Sequence, residues 1–162
     1  MTRTMTRLSA LALVTVLAAC GSDGGKSERM YLAQPRVSQA DLHPNETPEL
    51  RALIRKYSAL YGVPEDLVHR VVIRESRHRP GARNGRYYGL MQMAPATARG
   101  MGYSGSPQGL LDAETNLKYG VKYLRGAYLV ADGNHDAAVK WYSRGYYYEA
   151  KRKGLLEEAG LR

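Results

Sequence analysis

Glu75-Ser76 stands fourteen residues ahead of the turn Gly89-Leu90-Met91-Gln92, and the chain between Glu75 and Gln92 contains no other acid. A lone carboxylate suits one task above others: held partly protonated near neutral pH, it donates a proton to the oxygen of a leaving group. Paired with a glycine-led turn at this spacing, it points to glycosidic-bond chemistry. The element that must carry it is a helix from Pro64 to Glu75. Pro64 suits the first helical position, and Leu67, Val68, Val71 and Val72 form one apolar face. Glu75 continues the Leu67, Val71 row. Burying it ionised costs on the order of several kcal/mol, so the usual outcome is protonation. The last turn of a helix is also the negative end of its dipole, which pushes proton affinity the same way. Arg74 and Arg77 oppose both effects where their heads reach the carboxylate.

These residues carry a resemblance. Glu75-Ser76, then Pro80, then Gly89-Leu90-Met91-Gln92-Met93-Ala94-Pro95-Ala96-Thr97-Ala98 resembles the signature of the lytic transglycosylase domain with a lysozyme-like fold. Asn116, Gly120 and Tyr123-Leu124 match that family's Asn-x3-Gly-x2-Tyr-Leu helix, and Ala138 to Gly145 stands where the family usually carries Ala-Tyr-Asn-x-Gly. The match covers about residues 48 to 150, and three ordered motifs are far more specific together than singly.

The resemblance implies a mainly α, lysozyme-like single domain in which Glu75 is the sole catalytic acid/base. In that chemistry the acid protonates the glycosidic oxygen and then takes a proton from the sugar's own C6 hydroxyl. An internal nucleophile already near the anomeric carbon replaces water, so one carboxylate suffices where hydrolytic glycosidases usually need two. The substrate implied is the glycan strand of peptidoglycan, cut between N-acetylmuramic acid and N-acetylglucosamine, with no cofactor. Ser76 becomes a cleft residue, Met91 and Gln92 line the saccharide groove, and Gln92 hydrogen-bonds an acetamido or hydroxyl group. Leu90 is core, and Met93 is equally readable as core packing. Tyr142 matches the family tyrosine that hydrogen-bonds near the glutamate. Ser143 stands where the family has asparagine, losing two amide donors, and Asn84 stands where relatives often place serine. The Gly81 to Tyr88 loop is one residue shorter than the common form. Two alternatives stay open: a hydrolytic muramidase using Asp112 or Glu114 as second carboxylate, and a non-catalytic glycan-binding lipoprotein on the same fold.

The first twenty residues read as a targeting segment. Arg3 and Arg7 precede an apolar run from Leu8 through Ala19, too short for a mature membrane span, and Leu17-Ala18-Ala19-Cys20-Gly21 looks like a bacterial lipoprotein processing site. Residues 1–19 are then a signal peptide and Cys20, the single cysteine of the chain, is the lipidated first residue of the mature form. No internal disulfide or thiolate metal site follows. Residues 20–47, with Gly, Ser and Pro in place of apolar periodicity, read as a tether with an r.m.s. span of about 30 Å. Ser22 fits outer-membrane sorting, so the expected location is periplasmic and lipid-anchored, in contact with membrane through the N-terminal lipid.

The chain of 162 residues carries a formal charge of +9, and cleavage after Ala19 removes Arg3 and Arg7 to leave +7. Such a surface favours polyanions: anionic headgroups and the carboxylate-bearing peptides of the cell wall. Nucleic acid is not expected as a partner, because the charges are spread and an export signal leads away from it. His43, His69, His78 and His135 are far apart in sequence and lack ligand spacing, so no metal is assigned.

Residues 48–162 suffice for one domain with a modest core. Thr47-Pro48 opens a helix whose Leu50, Leu53, Ile54, Tyr57 and Leu60 or Tyr61 keep helical spacing, with Gly62 ending it. Gly81 to Gly89 reads as a loop or short hairpin, and Pro95 to Arg99 as a short helix. Asp112 caps the next helix, with Leu117, Val121, Leu124 and Tyr128 on its core face. A fifth passes through Ala138 to Tyr142, and a last piece runs from Tyr147 to Glu157. There is no phenylalanine, and all thirteen tyrosines but Tyr31 fall in this part. Tyr87-Tyr88 and Tyr146-Tyr147-Tyr148 flank the inferred cleft in sequence, where aromatic faces with polar tips suit sugar stacking.

Overall fold

The computed structural model describes Ser38 and residues 41–161. The signal segment, Cys20 and the tether as far as residue 40, Ser38 excepted, lie outside the described residues. The rest is mainly helical. In chain order come α1 (Pro48–Tyr61), α2 (Glu65–Ser76), a hairpin of β1 (Arg83–Asn84) and β2 (Tyr87–Tyr88), α3 (Pro95–Gly100), a 3-10 turn (Pro107–Leu111), α4 (Ala113–Val130), α5 (His135–Arg144) and α6 (Tyr147–Lys153).

Local signals set most of these limits. The Thr47 hydroxyl accepts from the Leu50 amide to start α1, and Gly62 ends it in a left-handed conformation. Leu50, Ile54 and Tyr57 are buried while Leu60 points out, which resolves the Leu60 or Tyr61 choice in favour of Tyr61. Asp112 caps α4 through the Thr115 amide, and Asn134 caps α5 through Ala137. Pro64 sits one residue earlier than expected, at the N-cap of α2. The last helix is shorter than its pattern suggests: Gly154 adopts φ 73° and takes the chain out of α6 four residues after Ala150.

At the centre is α4, with Leu117, Val121 and Leu124 fully buried. It packs against α1, α5, α6, α3 and the 3-10 turn. The apolar face of α2, Leu67, Val68, Val71 and Val72, is buried in the same core. Burying one such side chain stabilises by about 1.5–3 kcal/mol, so this face fixes the position of α2 and hence of the carboxylate at its end.

Residues 41–47 belong to the described part of the chain. They pack on the helices because Glu46 is 5% exposed and its two oxygens accept from Arg51 Nε and Nη2, both at 2.7 Å. Three of the four histidines, His43, His69 and His78, come together in space. The ring of His43 lies 5.0 Å from those of His69 and His78, and His69 Nδ1 is 3.1 Å from His78 Nε2. Donor atoms of His43, Glu46 and His69 fall within 4.8 Å of one another, a grouping that spacing along the chain conceals. What brings them together is the reversal after α2, where Arg77 (φ 53°) and His78 (φ 57°) are both left-handed. The Asn45 amide secures it by donating to the Arg77 carbonyl at 3.0 Å.

Candidate active site

The end of α2, the β1–β2 hairpin, the start of α3 and the end of α5 enclose a cleft of about 720 Å³. Glu75 lines it and, among the described residues, is the only acid that does. Its side chain is 23% exposed; among the described residues no hydrogen-bond donor meets it, and its ion-pair partner is Arg74, with Nε 3.6 Å from Oε1. Burial raises its proton affinity above the ordinary glutamate range, and Arg74 partly offsets this. A carboxyl poised in this way, open to a ligand on one side, is equipped to act as a general acid.

Three motifs far apart in sequence close on one turn. Gly89 is left-handed (φ 76°), and a side chain there would overlap the Leu110 carbonyl and the Asn116 amide. Asn116 is fully buried: its Oδ1 accepts from Met91 N–H at 2.8 Å, and its Nδ2 donates to the carbonyls of Tyr88 and Leu110 at 2.8 and 2.7 Å. Gly120, one helical turn along α4, makes room for Met91, whose Sδ lies 2.5 Å from where a Cβ would be. On the other side the Tyr142 hydroxyl donates to the Met91 carbonyl at 2.7 Å. The turn is thereby fixed against α4 and α5, with Gln92 and Met93 left facing the cleft.

Of the residues expected at the site, Glu75, Asn84, Gln92, Tyr142 and Ser143 line the cleft. Two do not. Ser76 is 3% exposed and its hydroxyl donates back to the Val72 carbonyl, because the apolar face of α2 has turned it inward. Met91 is fully buried in the space left by Gly120, and it is Met93 that borders the cleft. Other expected contacts are also redirected. Gln92 Nε2 donates to the Ala82 and Gly89 carbonyls, so its amide nitrogen holds the loop and its oxygen remains for a ligand. Tyr142 makes its hydrogen bond to the Met91 carbonyl within electrostatic reach of Glu75, and the hydroxyl of Ser143 donates to the Val139 carbonyl of its own helix at 3.1 Å.

Neither proposed second carboxylate is here. Asp112 caps α4, and Glu114 pairs with Lys56 at 2.5 Å and accepts from the Tyr57 hydroxyl. Tyr87 lines the cleft, whereas Tyr88 and Tyr146 are core and Tyr147 and Tyr148 are exposed outside it. The sequence reading singled out Arg74 as a charge opposing Glu75 but passed over Tyr123, Thr97 and four arginines, Arg79, Arg83, Arg86 and Arg144, all of which border the cleft. Tyr123 had a signal, since it belongs to the Asn-x3-Gly-x2-Tyr-Leu element that α4 carries. These four arginines had none, being scattered between positions 79 and 144.

The glutamate at the end of α2, the glycine turn and the asparagine of α4 that clamps it all lie within the stretch that a family model matches. That model, the Transglycosylase SLT domain, matches residues 52–156, well over half of the chain. The chain belongs to this family of lysozyme-like transglycosylases that act on peptidoglycan.

Proposed function

We propose that the protein is a murein lytic transglycosylase that cleaves the β-1,4 bond between N-acetylmuramic acid and N-acetylglucosamine without water, leaving a 1,6-anhydromuramoyl end. The observation that carries this reading is Glu75 as the only carboxylate, among the described residues, that lines the cleft. Its raised proton affinity supplies the acid that protonates the departing glycosidic oxygen. The resulting carboxylate then accepts the proton of the C6 hydroxyl as O6 bonds to the anomeric carbon. The proton lent in the first half returns in the second, and no water is consumed. Lipidation at Cys20 and a periplasmic location, at the outer membrane by the Ser22 rule, complete the proposal and rest on the sequence alone.

Mass spectrometry of products from purified murein tests it. Released muropeptides should lack one water relative to hydrolysis products and resist borohydride reduction. Reducible ends as the main product overturn the reading in favour of a hydrolytic muramidase.

A further inference from the structure

Three histidines and one glutamate come together where residues 43–46 pack against α2 and the reversal that follows it, and none of the four lines the cleft around Glu75. Glu46, His69 and His78 are buried and His43 partly so. The turn that carries His43 and Glu46 is preformed. The His43 amide donates to Glu46 Oε2 at 2.9 Å, and the Glu46 amide donates to the His43 carbonyl at 3.0 Å.

The donors converge on His69. Its Nδ1 lies 3.1 Å from His78 Nε2 and 3.8 Å from Glu46 Oε1, and His43, Glu46 and His69 offer ligand atoms all within 4.8 Å of one another. In a tetrahedral zinc site with bonds of about 2.0–2.1 Å, ligand atoms stand about 3.3 Å apart. The first two separations bracket that value. The wider ones close by a shift of residues 43–46, which belong to no helix.

Glu46 keeps an acceptor site for an ion. A carboxylate presents about four lone-pair sites. Arg51 and the His43 amide occupy three, and the fourth is on Oε1, the oxygen 3.8 Å from His69 Nδ1. The far edge of His69 is arranged as metal-bound imidazoles usually are. Nε2 is buried with no hydrogen-bond partner among the described residues, and Glu65 Oε1 stands 3.6 Å from it. A carboxylate on that side favours the tautomer that leaves Nδ1 unprotonated for the ion. Imidazole donors suit zinc, whereas calcium and magnesium take oxygen ligands. A groove of about 610 Å³ bordered by His43, Glu65 and His69 gives the ion a way in from solvent. The Arg51 guanidinium opposes the ion's charge, so the expected affinity is micromolar rather than that of a zinc finger.

We propose that His43, Glu46, His69 and His78 bind one Zn²⁺ ion as a structural site. The ion ties the segment before α1 to α2 and to the reversal beyond Glu75, bracing the helix that carries the candidate acid.

Full-length protein in detergent, free of any affinity tag and stripped with chelator, is titrated with Zn²⁺ at about pH 7.5 by calorimetry. One equivalent should bind with a Kd below about 50 µM, unaffected by about 1 mM Mg²⁺ or Ca²⁺. Saturating Zn²⁺ should raise the melting temperature by about 4 °C or more, as an ion that binds only the folded state does. His43→Gln and His69→Gln should each weaken binding at least about tenfold. His43 is only partly buried, so His43→Gln decides alone if His69→Gln fails to fold. His135→Gln, which removes the histidine outside the cluster, should leave binding unchanged. A Kd weaker than about 50 µM overturns the proposal. So does binding that survives His43→Gln, or that His135→Gln abolishes, since either assigns the ion to an adventitious surface site.

Discussion

Asn116 on α4 holds the backbone of Met91: its side-chain oxygen takes the Met91 N–H at 2.8 Å while its amide nitrogen spans to the Tyr88 and Leu110 carbonyls. One buried side chain thus meets three backbone groups, of which the Tyr88 carbonyl also accepts from the Met93 amide at 2.9 Å, and in doing so sets the height of the turn facing Glu75.

Asn116→Ala should therefore cost about 3 kcal/mol or more, because each buried backbone group left unmet carries a desolvation penalty of about 1–3 kcal/mol. Urea unfolding measures it. A loss below about 1 kcal/mol would mean that water or a neighbour replaces the amide, and that the turn is held by Tyr142 and the hairpin instead.

Glu75→Gln should abolish lysis and leave stability at neutral pH unchanged or raised. Burial holds the folded-state proton affinity above its unfolded value, so the native state binds protons more readily, and stability declines as pH rises through the window above 4.5. The amide carries no such penalty. In the active enzyme the same shift sets an alkaline limb, where Glu75 loses its proton and acid catalysis fades. Removing the opposing charge with Arg74→Gln should move that limb to higher pH. A limb that stays in place, or moves lower, would assign it to another group.

Local chemistry made the helices legible. Thr47, Asp112 and Asn134 each begin a helix as their cap types predict, and the Leu67, Val71, Glu75 row ends at the cleft. What could not be read is what depends on closure between distant elements. Met91 and Met93 are both apolar and two residues apart, and only the space above Gly120 decides which one is buried. Ser76 follows the catalytic residue yet points the other way, since successive helical positions differ by about 100°. His43 and His78 become neighbours through two left-handed residues of types that do not announce that conformation. The cleft arginines come from α2, the loop after it, the hairpin and α5, and no linear pattern links them.

The buried histidines give the fold an acid limit. Burial lowers the pKa of His78 from 6.5 to about 4, outweighing the pull of Glu46, and lowers His69 in the same direction. Unfolded histidine takes up a proton first, so stability is lost as pH falls from about 6.5 toward 4, by on the order of 3 kcal/mol for His78. Arg51 and His43 face the same cluster and oppose protonation there. His78→Gln should flatten this part of a melting-temperature profile. An equally steep decline in the variant would place the sensitivity with other groups.

Ser143→Asn restores the residue usual in the resembled family at a position that borders the cleft. The serine hydroxyl is spent on the Val139 carbonyl, so no contact with substrate is lost by the exchange, and the amide adds donors toward the cleft. Turnover on murein should be unchanged or raised. A severe loss would show that the neighbouring Arg144 and Tyr142 have packed around the smaller side chain.

Cys20→Ala tests the N-terminal proposal. Lipoprotein-type modification supplies several acyl chains, each buried methylene contributing about 0.8 kcal/mol, and stable anchoring needs more than one chain. Among the described residues no helix is long and apolar enough to cross a membrane. The variant should be left unprocessed or released, while protein beginning at Gly21 should lyse isolated murein in the absence of detergent. Fractionation after a high-salt wash separates lipid from charge, since the wash screens any attraction of the basic surface to anionic headgroups. If processed Cys20→Ala protein still sediments wholly with membranes after that wash, the anchor lies elsewhere and Cys20 is not lipidated.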